Sequence, residues 1–96
     1  MDRKQAEAMI LPTFLREYEG VPDRLRKARE SSDYQEIRGL AHKLKGVCPY
    51  LGADALLAQA GALEWRIREE ATALAEEIDR FCEAVQAALD AVRQLL

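Results

Sequence analysis

The sequence predicts an all-α domain, an antiparallel four-helix bundle with a short additional helix at its N-terminus. Hydrophobic residues form 49% of the chain and charged residues 32%, the balance of a folded helical domain rather than a disordered segment. Apolar residues recur at three- and four-residue steps along most of the chain, and nothing alternates with period two for long enough to make a strand. The breaks between these runs are short, which makes successive helices antiparallel neighbours. The 96 residues form one domain, 1–96, with no room for a second. A chain of this length buries only roughly 60–65% of its unfolded surface, so its core must be simple.

The first helix, at about 4–19, contributes Ile10, Phe14 and Tyr18 to the core. Gly20-Val21-Pro22 interrupts it. Pro22 suits a first helical position, so the second helix covers about 22–30, with Val21, Leu25 and Ala28 inward. Ser31-Ser32-Asp33 is the next break. Asp33 suits an N-cap, and the third helix covers about 33–51. Gly52 separates it from the fourth, at about 53–69, whose stripe is Leu56, Ala60, Leu63 and Ile67. Glu70-Ala71-Thr72 then leads into the last, at about 72–95. Its stripe is the clearest: Leu74, Ile78, Phe81, Val85, Leu89, Val92 and Leu96.

Charge narrows the function. The net charge is −3 with both signs interspersed, so no clustered basic face addresses nucleic acid. No apolar run approaches the ~20 residues of a membrane span. Met1-Asp2-Arg3-Lys4-Gln5 leads into an amphipathic helix, not a signal-peptide core. Cys48 and Cys82 read as reduced core thiols of a cytoplasmic protein. One histidine and two distant cysteines make no zinc site.

The third helix carries the chemistry. On its wheel Ile37, Leu40, Ala41, Leu44, Val47, Cys48 and Leu51 form one side. His42, the chain's single histidine, lies roughly 160° from the centre of that side. Gln35, Gly39, Gly46 and Pro49 share its outward face, with Arg38 and Lys45 on the flank. A glycine inside a helix costs about 0.8–1 kcal/mol relative to alanine. Two of them bracketing one exposed imidazole point to close approach by another body. Lys45, three residues on, can place its ammonium near anything attached to the ring. A carboxylate accepting the Nδ1 proton would leave Nε2 free as nucleophile and stabilise positive charge on the ring. Glu64, on the flank of the fourth helix, is the candidate. Taken singly, accidental surface glycines, a solvated lysine and a solvated glutamate are the plain alternatives.

The run His42-Lys43-Leu44-Lys45-Gly46, then Leu51-Gly52-Ala53, then Leu63-Glu64, resembles the histidine phosphotransfer (HPt) domain of bacterial phosphorelays. The resemblance covers about Ile10 to Leu96, and its specific part is residues 37–64. It implies that His42 is the phosphoacceptor, through Nε2. It implies that Lys45 steadies the phosphoryl group, that Gly46 lets a receiver domain dock, and that Glu64 stands beside the histidine. Two departures stand out. Val47 and Cys48 occupy positions usually held by small residues. Pro49, seven residues after His42, should kink or end the helix early.

The chain has neither the length nor the glycines for an ATP-binding domain, so it is expected to be a phosphoryl carrier without kinase activity. It shows no acidic pocket for Mg²⁺. No cofactor of its own is expected, and the metal and the aspartate nucleophile should come from a partner receiver. Expected partners are response-regulator receiver domains, with a hybrid sensor kinase as a further candidate, and the chain itself is expected to be a monomer. Leu57, Gly61 and Arg68 recur with Glu64 along one edge of the fourth helix. With Gly39, Gly46 and Pro49 they make a shallow docking patch. Trp65 lies off that edge. The alternative is an HPt-like binding module that docks a receiver or kinase and regulates it without carrying phosphate.

Overall fold

Apolar spacing and end signals produce five helices in the computed structural model, which describes the backbone of residues 3–96 and the side chains of residues 10–96. They are α1 (Arg3–Tyr18), α2 (Val21–Glu30), α3 (Tyr34–Leu51), α4 (Asp54–Glu70) and α5 (Ala75–Leu95). The start of the N-terminal lead, Met1-Asp2, lies outside the described residues. Helices α2, α3, α4 and α5 each pack on the next, and α5 closes back on α2. Helix α1 packs on α3 and α5, the same two helices that flank α2. The first two helices therefore share one side of the bundle. Only Glu19 and Gly20 separate them, and Gly20 keeps a helical conformation at φ −86°, ψ −5°. Pro22 has no N–H to offer the preceding turn, which breaks the column there.

The core follows the apolar stripes. Phe14, Leu25, Ile37, Leu44, Leu63, Ile67, Phe81 and Leu89 are all at most 2% exposed. Burying each such side chain stabilises the fold by about 1.5–3 kcal/mol. Cys48 and Cys82 are buried free thiols whose pKa values burial raises, and the Cys82 thiol donates to the Pro22 carbonyl at 3.5 Å. Phe14 and Tyr18 stack with ring centroids 5.0 Å apart. The Tyr18 hydroxyl donates to the Lys43 carbonyl at 3.3 Å, and the Lys43 ammonium sits 5.1 Å from the Tyr18 ring centroid. This clasp pins α1 against α3 one residue from His42.

Helix α3 is set at both ends by local chemistry. The Asp33 carboxylate accepts the Glu36 N–H at 3.1 Å, the N-cap expected of it. At the far end Gly52 is left-handed at φ 66°, and its N–H returns to the Cys48 carbonyl. That conformation suits a residue without a Cβ. Leu-Gly-Ala is therefore a helix stop as well as a sequence signature.

Three expectations need correction. Pro49 does not end α3, which runs on to Leu51. Pro49 lies in the last turn, where its missing N–H removes one bond near a terminus that Gly52 sets anyway. Helix α5 starts at Ala75, not at 72. Ala71 closes α4 in a left-handed conformation at φ 57°, and Leu74 is extended at ψ 140°. Leu74 is thus out of phase with the α5 stripe and 60% exposed, while Ala73 takes the buried place at 8%. Leu96, past the last turn, is 62% exposed rather than part of the stripe.

Candidate functional site

Helices α3 and α4 pack closely, and the site lies where His42 meets Glu64. The inward stripe of α3 turns His42 outward. Its side chain is 74% exposed, while Ile37, Ala41 and Leu44 beneath it are sealed. Glu64 comes from α4, one residue after buried Leu63, and is only 7% exposed. It is the one buried charged residue among those described. The His42 Nδ1–H donates to Glu64 Oε1 at 3.1 Å. In the neutral ring this contact selects one tautomer, in which Nε2 carries the lone pair and is turned away from the carboxylate.

Lys45 reaches the same carboxylate. Its Nζ stands 3.3 Å from Glu64 Oε2, an ion pair out of hydrogen-bond alignment, so that Oε2 is buried without a hydrogen bond. Burial pushes the Glu64 pKa up. The hydrogen bond from His42, together with the Lys45 ammonium, outweighs burial, and the carboxyl lies below its ordinary value. Glu64 is therefore an anion that orients the ring and faces any positive charge developing on it.

A shallow depression beside the ring is lined by Gln35, Arg38, Gly39, His42 and Glu64. Gly39, Gly46 and Gly61 each have nothing within 4 Å of where a Cβ would sit. Internal packing thus gives no reason for glycine at any of them. Gly39 and Gly46 are exposed on either side of His42, and Pro49 is exposed further along α3. On α4, Gly61 is half-buried, Leu57 is half-buried against the core, and Arg68 is exposed with its Nε 3.4 Å from Glu69. These α4 residues, with Gly46 and Pro49, lie outside the walls of the depression. Trp65 is 53% exposed. Val47 and Cys48, the larger residues after Gly46, are half-buried and buried, so they do not crowd the His42 face.

Two lining residues had no role assigned from sequence. Gln35 shares the His42 face and Arg38 its flank, but a helical wheel cannot tell which flank meets α4. Among the described residues no group of three or more histidine, cysteine, aspartate or glutamate side chains could hold a metal ion. No described helix is long and apolar enough to cross a membrane.

The sequence model of one family, described as the Hpt domain, matches residues 9–95. Neither the comparison with curated proteins nor that with solved structures returned a match.

Proposed function

Because the chain belongs to the Hpt domain family, whose members are phosphoryl carriers rather than kinases in two-component phosphorelays, we propose that it relays a phosphoryl group between receiver-domain aspartates through Nε2 of His42. The observation that supports this reading best is the 3.1 Å contact from Nδ1 to a buried carboxylate on a ring that is 74% exposed. It leaves one nucleophilic nitrogen open to a partner and holds the other.

The receiver docks over α3 and α4, where Gly39, Gly46 and Gly61 admit close approach and Pro49, Leu57 and Arg68 complete the patch. The Nε2 lone pair attacks phosphorus in line with the departing carboxylate oxygen of the aspartyl phosphate. The N–P bond forms as the P–O bond breaks, and the electron pair stays on the aspartate. The Nδ1 proton remains on the ring, whose positive charge faces Glu64. Lys45, held by a single misaligned contact, turns part of its charge to the phosphoryl oxygens. The chain contributes position and electrostatics, and Mg²⁺ is expected on the receiver. The reaction runs in either direction, since both acyl phosphate and phosphoramidate are high-energy.

The test is to incubate the protein with a panel of phosphorylated receivers. The reading expects acid-labile, base-stable label on the wild-type chain and none on His42→Gln. Receiver binding with no label on the wild type would replace it with a docking module that carries no phosphate.

A further inference from the structure

The depression beside His42 contains a cation that the reading above does not use. Arg38 is half-buried and forms part of its wall. Of the eight other arginines with described side chains, seven stand within 3.6 Å of a carboxylate, and the eighth, Arg16, is exposed on α1 away from the depression. Arg38 makes no ion pair and no hydrogen bond among the described residues. Its nitrogens are not sealed from water, and its five donors meet no protein acceptor, so the set of donors is open to an incoming anion.

The local charge balance says what would complete it. Glu64 and Lys45 are engaged with each other at 3.3 Å, which leaves Arg38 as the uncommitted charge. A phosphoryl group on Nε2 brings about two negative charges near neutral pH. Lys45 alone cannot neutralise it without releasing a buried carboxylate. Arg38 lies one turn before His42 and Lys45 nearly one turn after, both rotated to the same side of the ring. Side chains one turn apart on a helix stand about 5–6 Å apart at Cβ, within reach of an arginine fork. The antiparallel register set by the His42–Glu64 contact also puts Arg38 level with Arg68, one turn beyond Glu64 on α4. Arg68 is paired with Glu69 outside the walls of the depression, so Arg38 is the cation that lines it.

Resting on the assignment of His42 as phosphoacceptor, we propose that Arg38 is a second phosphoryl-binding residue, whose guanidinium closes on the equatorial oxygens of the group carried by Nε2 beside Lys45, which divides its charge between that group and Glu64. In the transfer step Arg38 gives up no proton. It donates hydrogen bonds to oxygens whose charge is redistributed as the P–O bond breaks and the N–P bond forms.

Phosphoramidate as a small-molecule donor separates contact with the phosphoryl group from contact with a receiver. Arg38→Met keeps the apolar stem and removes the charge, and Arg38→Lys keeps the charge without the fork. With phosphoramidate and no receiver present, labelling of Arg38→Met should fall on the order of ten- to a hundredfold, with partial recovery in Arg38→Lys. In ³¹P NMR the titration of the His42-bound phosphoryl group should move to higher pH in Arg38→Met, because an opposite charge has been removed. A merely structural role would not move that titration. Wild-type labelling and an unchanged titration in Arg38→Met, with loss only of transfer from a phosphorylated receiver, would overturn the proposal and make Arg38 a docking residue. Absence of label on the wild-type chain from either donor would remove the His42 assignment and this proposal together.

Discussion

Replacing Glu64 by glutamine and by alanine separates its charge from its geometry. The carboxylate is 7% exposed and accepts the His42 Nδ1–H at 3.1 Å. A hydrogen bond to a charged group contributes about 1.5–3 kcal/mol and a neutral one about 0.5–1.5. The observed length exceeds the 2.7–2.9 Å of strong charged pairs, and the ring is mostly in water, so the lower part of each range applies. Glutamine keeps an acceptor and loses the charge, a difference of about 1 kcal/mol, or roughly fivefold in transfer rate. Alanine loses the acceptor as well, about 1.5–2 kcal/mol, or ten- to thirtyfold. Single-turnover transfer from a phosphorylated receiver measures both. Nitrogen NMR of the imidazole checks the cause: the Nδ1–H tautomer should dominate in the wild type and decline in Glu64→Ala. The same carboxylate has a pH signature. Its folded pKa is lowered, so its contribution to stability is complete above the ordinary glutamate value of about 4.3 and is lost as pH falls through the folded value. Denaturant titrations across that acid range should show this component in the wild type and not in Glu64→Gln. Wild-type transfer by Glu64→Ala, with an unchanged tautomer ratio, would refute the orienting role.

Other substitutions test the remaining parts. His42→Gln should abolish acceptance while shifting stability by no more than about 0.5 kcal/mol in denaturant titration, since the residue lies on the helix surface. Lys45→Ala should slow transfer yet leave receiver affinity intact in calorimetry, because its charge acts on the phosphoryl group; equal losses would make it a docking residue. Gly46→Gln and Gly61→Gln should block docking sterically with the bundle folded, as open space surrounds both positions, whereas Trp65→Ala should leave transfer nearly unchanged. The opposite pattern would move the interface to the other side of α4. Gly52→Ala should destabilise the fold by about 1 kcal/mol or more, because φ is 66° there, and lower the melting temperature by roughly 4–8 °C.

Local and periodic properties were legible in the sequence. The three- and four-residue apolar steps place Ile37, Leu40, Ala41 and Leu44 inward, and a wheel then turns His42 outward without reference to any other helix. Asp33 and Gly52 act within a turn of their own positions, so their capping roles also belong to the local sequence. The α4–α5 connection was not legible. Thr72 and Leu74 carry no strong end signal, and what places Ala73 rather than Leu74 inward is the packing of the closed bundle.

Tertiary structure alone decided the electrostatics of the site. Sequence spacing could put Glu64 on a flank, but only the packing of α3 on α4 withdraws it from water and brings His42 and Lys45 to its two oxygens. The same packing distinguishes Arg38, which lines the depression without an ion pair of its own, from arginines that meet carboxylates on the surface. A helical period describes one helix against an unspecified neighbour. Burial, charge pairing and the direction of a pKa shift depend on which side chains of two helices face each other, and that relation exists only once the chain has folded.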